Sequence, residues 1–416
     1  MILFTHPTGN ANVRYAALGL YRAGLLEEFW TCVNYRAPAA LQPLLPQRLR
    51  AQLQRRAFPE ELTSSIRARP FREMMRLLAP RVGLRHWAKH ETGRFSVDAV
   101  YRALDRQVSR RLQEKTFRGV YAYEDGAEFS FRAAKERGIR ALYDLPIGYW
   151  RAARALLLEE AEREPEWAGT LSGNQDSEQK TARKDAELAL ADVVFVASSY
   201  TKQTLLSAPH FNGNVVVVPY GSPRLPAVAA SATPDRRRSV VGKLRVLFVG
   251  SLGQRKGLSY LFDACRKLGT GVELTIIGQK PLEPCAILDR ELTAVRWLPT
   301  CPHSQVLSEM AANDVFVFPS LFEGFGLVLL EAMAMGLPII TTAHTAGPDL
   351  IRDGVEGFIV PIRSALSIAE RLEKLRLEPA LRAAMGESAR RRAEDFSWEA
   401  YGATLAGGVA QTLEDR

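Results

Sequence analysis

Apolar positions along the chain fall into short continuous runs separated by longer stretches with helical spacing. Met1 to Thr5, Gly119 to Tyr123, Ala141 to Leu145, Val193 to Ala197 and Val215 to Pro219 are runs of strand length. Continuous apolar runs of this kind are how strands covered on both faces read. Val13 to Ala23 and Ala127 to Arg137 are spaced as helices, the second stopped by Gly138. Residues 151–190 are mostly helical, with a break near Gly169 to Asn174. Leu25 to Val33 fits either a short helix end or a strand. A second series starts near Leu244, with strands at Arg245 to Val249, Glu273 to Ile277, Ala294 to Leu298, Val315 to Phe318, Ile339 to Thr341 and Gly357 to Val360. Strand and helix in alternation predict βαβ units and a parallel sheet in each half. Residues 222–240 are rich in Pro, Ala, Ser and Arg and have no period, so a linker is expected there. The expected units are 1–222, a linker at 223–240, 241–395, and a last helix in 396–416 opened by Ser397 as N-cap.

Length and composition narrow the class. A chain of 416 residues predicts two or three domains. With 47% hydrophobic and 24% charged residues it reads as an ordinary globular protein. The longest apolar runs are too short for a membrane-spanning helix, and the first residues read as a strand, not a leader peptide. Cys32, Cys265, Cys285 and Cys301 form no Cys-x-x-Cys pair. That predicts a reducing, cytoplasmic setting and no structural zinc.

The net charge of +9 is local in origin. Residues 41–118 carry 18 Arg plus Lys against 7 Asp plus Glu, so the rest of the chain is near −2. This segment reads as a basic, helix-rich insertion. In Phe71-Arg72-Glu73-Met74-Met75-Arg76-Leu77-Leu78, apolar residues alternate with Arg. The pattern fits an interfacial helix on an anionic membrane surface, which would make the protein peripheral on the inner face of the membrane, or else a solvated face over an ordinary core. No nucleic-acid motif accompanies the charge, so no nucleic-acid partner is expected. His86 and His90 stand at i, i+4 without a carboxylate motif, so no metal is assigned.

The densest chemistry lies between Phe318 and Pro338. An apolar strand ends in Pro319-Ser320, and Glu323-Gly324-Phe325-Gly326-Leu327 follows. A helix then carries Glu331 and stops at Gly336 and Pro338. Glu331 is placed about two turns into that helix at ~3.6 residues per turn. The glycines are expected to let backbone approach a ligand. Upstream, Phe248-Val249-Gly250-Ser251-Leu252-Gly253-Gln254-Arg255-Lys256-Gly257 has the strand, Gly-containing loop and helix start that offer backbone N–H groups and a helix dipole to an anion. Arg255 and Lys256 add full positive charge.

The 318–338 block resembles the E-x7-E motif of retaining, family 4-like glycosyltransferases. The resemblance implies an α/β GT-B fold, two Rossmann-like domains facing each other across a cleft with the last helix crossing back to the first domain. It implies that Glu323 faces the sugar of a nucleotide-diphosphate donor and that Glu331 holds the ribose. It also implies diphosphate contacts from Lys256 and Arg255, a retained anomeric configuration, no divalent metal and no cofactor beyond the nucleotide sugar itself. Arg255 stands in for an Arg usual where this chain has Ser251. Gly253, Gly278, Gly324, Phe325, Gly326 and Leu327 are expected around the donor, with Gly9 of Thr8-Gly9-Asn10 approaching it from the first domain. Many members carry a His after a strand of that domain, and Leu142 to Trp150 has none. Asp144 is the nearest polar candidate there, and Glu124, Asp125 and His6 are alternatives, each of which taken singly reads better as a cap, turn or structural group. His303 reads as a loop or cap residue and Asp349 as the cap of a following helix. The expected acceptor is a glycan or lipid-linked glycan in cell-surface polysaccharide or glycolipid synthesis. Rival readings are an epimerase or hydrolase of nucleotide sugars on the same fold, or a non-catalytic basic membrane or assembly protein.

Overall fold

The computed structural model describes residues 1–35, 56–171, 176–209, 211, 213–222 and 243–414. The expected linker at 223–240 and the first part of the basic segment, 41–55, lie outside these residues.

Two parallel sheets form the frame. The first holds β1 (Ile2–Thr5), β2 (Leu26–Thr31), β3 (Ile66–Ala68), β4 (Gly119–Tyr123), β5 (Arg140–Leu145), β6 (Val193–Val196) and β7 (Asn214–Val217), in the order β3-β2-β1-β4-β5-β6-β7. The second holds β8 (Leu244–Val249), β9 (Val272–Ile277), β10 (Arg296–Leu298), β11 (Val315–Phe318), β12 (Ile339–Thr342) and β13 (Gly357–Val360), in the order β10-β9-β8-β11-β12-β13. The central strands β1, β4, β8 and β11 are buried along their whole length or nearly so. That burial is why they read as apolar runs without alternation. In both sheets the strand order reverses beside the first strand, between β1 and β4 and again between β8 and β11. Such a reversal leaves a crevice beyond the strand carboxyl ends, where doubly wound proteins bind ligands.

The stretch Leu25 to Val33, open between two readings, is strand β2. The basic segment is less of an insertion than its composition suggests. Ile66–Ala68 pairs with β2 and completes the first sheet. The helix Val97–Glu114 buries Val100, Leu104, Val108 and Leu112 against that sheet, one residue per turn. Several of its charges are paired within the lobe: Arg111 with Glu28, and both Arg76 and Arg56 with buried Glu73.

The last helix, Trp398–Glu414, starts where Ser397 accepts the Ala400 N–H at 3.0 Å. It crosses to the first lobe and lies on the helix Ala11–Arg22, with Trp398 stacked on Tyr15 at 5.3 Å. Arg118 beside β4 donates to its Leu413 carbonyl at 2.6 Å.

Candidate donor site at the second switch point

The loops after β8 and β11 meet across the second switch point. Beyond β8, Gly250-Ser251-Leu252-Gly253 leads into a tight turn at Gln254–Lys256, then Gly257 opens the helix Leu258–Leu268. Gly257 has φ 71°, and a Cβ there would lie 2.1 Å from the Pro319 carbonyl oxygen. Only a residue without a side chain lets the two loops touch. The Leu321 N–H donates to the Arg255 carbonyl at 2.9 Å, which ties them further.

This junction puts three charged groups together. The Lys256 ammonium is bonded to the Glu323 carboxylate. Arg255 Nη1 lies 3.4 Å from the same carboxylate and donates to the Phe322 carbonyl at 2.7 Å. Lys256 also sits over the Phe318 ring, 4.6 Å from its centroid. Burial, and then the adjacent Arg255 charge, push the Lys256 ammonium well below its usual range. The Glu323 carboxylate it touches acts in the opposite sense. Burial lowers Arg255 as well. A cation held in so dry a place acts strongly on an anion brought beside it.

Glu331 occupies the fifth position of the helix Leu327–Ala334, closer to its start than expected because Glu323 to Gly326 remain loop. It pairs with His303 Nε2 at 3.0 Å. His303 opens the helix His303–Ala312, so this second carboxylate is met from the β10 side.

The expected glycines and their neighbours separate by role. Gly326 adopts φ 87°, the left-handed turn that starts the Glu331 helix. Gly324 is pressed against the first lobe: a Cβ on it would lie 2.2 Å from the Pro146 carbonyl oxygen. Its own carbonyl accepts from Ser198 Oγ at 2.6 Å and Thr201 Oγ1 at 2.9 Å, both in that lobe. Phe325 turns inward and packs on Tyr220 at 5.2 Å, whereas Leu327 is partly exposed at the helix start. Gly278 faces the Gly250 carbonyl, which brings the β8 and β9 loops together. Gly253 lies against the Thr170 carbonyl, and Gly9 against the Phe58 ring.

The first-lobe candidates are not joined to the ion pair. Asp144 is buried and accepts from Tyr121 OH at 2.6 Å. Burial raises its carboxyl to about 7. Among the described residues, no hydrogen bond or ion pair links it to Glu323, Lys256 or Arg255. Glu124 is likewise raised to about 7 by burial and lies 3.5 Å from Lys184. Asp125 pairs with Arg183 and Lys180. His6 is buried against Tyr123, its ring 4.6 Å away, and burial lowers it to about 4, so it is neutral.

Other residues at the interface have roles that the sequence did not show. His344 bonds the Leu321 carbonyl through Nδ1 at 2.8 Å and stacks on Tyr200 of the first lobe at 4.5 Å. Asp349 does not cap its own short helix. It accepts the Ser199 N–H at 2.9 Å and the Ser199 hydroxyl, from the other lobe. Glu160 and Gln254, a buried pair between the lobes, were equally silent.

Two Rossmann-like lobes, with switch-point loops facing across a common interface and a last helix returning to the first lobe, define a GT-B fold. Residues 232–392 match the family described as Glycosyl transferases group 1. The resemblance carried by the E-x7-E block is thus borne out over the second lobe. "Amylovoran biosynthesis glycosyltransferase AmsK" of Erwinia amylovora is 36% identical over 145 residues, covering 32% of this chain and 36% of that protein. "Capsular polysaccharide biosynthesis glycosyltransferase CapM" of Staphylococcus aureus is 35% identical over 156 residues, 36% of this chain and 40% of that one. The chain thus spans less than half the length of these two curated relatives. The crystal structure of Anabaena Alr3699/HepE in complex with UDP superposes over 100% of both chains, with a TM-score of 0.61 at 16% identity.

Proposed function

We propose that this protein is a glycosyltransferase that moves a sugar from a nucleotide-diphosphate donor to a glycan or lipid-linked acceptor. The observation that carries the reading is the meeting of Lys256, Arg255 and Glu323 at the second switch point. A leaving diphosphate needs fixed positive charge where the glycosidic bond breaks, and Lys256 and the half-buried Arg255 beside it supply that charge. Glu323 then meets the sugar hydroxyls near the developing oxocarbenium charge. Glu331, steadied by His303, holds the ribose. The named relatives in amylovoran and capsular polysaccharide synthesis support a cell-surface glycan product, and UDP bound to a protein of the same fold supports a nucleoside diphosphate donor.

The finer chemistry rests on the family resemblance: retention of configuration, without a divalent metal. Among the described residues Glu323 is the one carboxylate bonded to Lys256, and a front-face route is the reading, in which the departing phosphate oxygen takes the acceptor proton. Asp144, buried under Tyr121, is given no contact with reacting atoms.

A membrane-facing role for the basic segment belongs to the same reading. Phe71 is 69% and Val82 67% exposed, and Leu78 stands out beside them. Glu73, the acid of that helix, is turned inward to Arg76. Apolar tips amid arginines suit an anionic lipid surface, where a cytoplasmic enzyme would meet a lipid-linked acceptor. Among the described residues no helix is long and apolar enough to cross a membrane.

The test is transfer itself. Product that forms only when acceptor is added, and is lost in Glu323→Ala at unchanged folding, supports the proposal. Donor hydrolysed or epimerised at full rate without acceptor points to the rival chemistry.

A further inference from the structure

The helix Trp150–Arg163 and the turn Pro165–Thr170 run from one lobe to the other. The near end is tied to the first lobe: Trp150 Nε1 donates to Asp185 at 2.6 Å, Arg151 pairs with the same carboxylate, and Arg154 donates to the Asp176 carbonyl at 3.0 Å. The far end is tied to the second. Glu160 is fully buried, and its carboxylate accepts from Gln254 Nε2 at 2.7 Å, Tyr260 OH at 2.8 Å and Arg363 Nε at 2.6 Å, all from the second lobe. Thr170 Oγ1 accepts the Gln254 N–H at 2.8 Å. Trp167 packs on Phe262 at 6.0 Å.

Gln254 directly precedes Arg255 and Lys256. The side chain that Glu160 holds also binds back to the start of the following helix, since Gln254 Oε1 accepts the Ser259 N–H at 3.1 Å. Both the backbone and the side chain of the turn presenting the two cations are thus fixed by residues from the opposite lobe. A buried carboxylate needs all its acceptor sites filled, so the arrangement is retained only while both lobes are docked.

We propose that this strut shapes the diphosphate loop from the other lobe, with Glu160 as a positioning residue, so that anion affinity at Lys256 depends on how the lobes meet. The inference rests on the diphosphate reading of the site. Calorimetry on the full chain with inorganic pyrophosphate tests it. Glu160→Ala weakens pyrophosphate about tenfold, and Thr170→Val, which removes one acceptor and no charge, weakens it several-fold. Glu160→Gln, whose amide oxygen still accepts from Gln254 and Tyr260 although its NH2 cannot accept from Arg363, recovers affinity to within about threefold of the wild type. Such rescue is not expected from a group that only adds stability. If Glu160→Ala does not fold, Thr170→Val decides alone. Variants at both positions binding as the wild type does, while Lys256→Ala has lost binding, overturn the strut. Undiminished binding by Lys256→Ala overturns the diphosphate reading instead.

Discussion

Gly324, in the loop of the second lobe that carries Glu323, lies against Pro146 of the first, and a Cβ on it would come within 2.2 Å of the Pro146 carbonyl oxygen. The contact places the carboxylate loop under the control of both lobes. Gly324→Ala must push the loop or the lobes apart, at a cost of about 1–3 kcal/mol as in other overpacked sites. The expected result is a sharp fall in transfer with both lobes still folded. Wild-type turnover in this variant would show that the lobes need not meet here.

Glu331 and His303 are expected to act on donor binding more than on chemistry. Glu331→Ala should raise the donor KM about tenfold or more while kcat changes little, as for a group gripping ground and transition states alike. His303→Ala should act in the same direction, more weakly. A loss confined to kcat would move Glu331 to the reacting centre.

Asp144 makes stability depend on pH. Its folded value of about 7 lies above the ordinary 3.8 because burial disfavours the charge. The stabilisation is therefore complete below about 3.8 and is lost as pH rises through about 7. The full effect is on the order of 4 kcal/mol at most, at 1.36 kcal/mol per unit. Asp144→Asn keeps an acceptor for Tyr121 and cannot ionise. Chemical unfolding across pH 4 to 8 should show the variant gaining on the wild type as pH rises, and parallel curves would contradict the assignment.

The exposed Phe71 and Val82 predict association with lipid. Flotation with anionic vesicles at low salt should carry the wild type upward, Phe71→Ser with Val82→Ser should reduce it several-fold, and added salt should weaken it. Equal flotation with neutral vesicles would remove the role of the arginines.

What could be read in the chain and what could not follow from where the contacts lie. The Glu323 to Gly336 block was legible because its acids, glycines and helix stop are adjacent in sequence, and the loop at Gly250 to Gly257 for the same reason. The edge strand Ile66–Ala68 was hidden because three residues, one of them Arg, are too few to show a period. The many arginines of Val97–Glu114 masked its apolar stripe. Contacts between lobes left no local trace: Glu160 sits in Leu-Leu-Leu-Glu-Glu, where an acid reads as a solvated face, and Asp349 reads as a helix cap until Ser199 appears opposite it. The glycine at 324 stood out in the sequence as a place where backbone comes close to a partner, but the carbonyl of the facing lobe that presses on it could not be read there.

The central claim is that Lys256, with Arg255 and Glu323 around it, forms the seat of a nucleoside diphosphate. A thermal-shift panel of nucleoside diphosphates, run on the wild type and on Lys256→Ala, tests it most directly. The account predicts that at least one diphosphate raises the melting temperature of the wild type by several degrees, as ligand well above its Kd must, and that Lys256→Ala abolishes the shift. A wild type indifferent to every diphosphate, or a shift that survives the loss of Lys256, would contradict it.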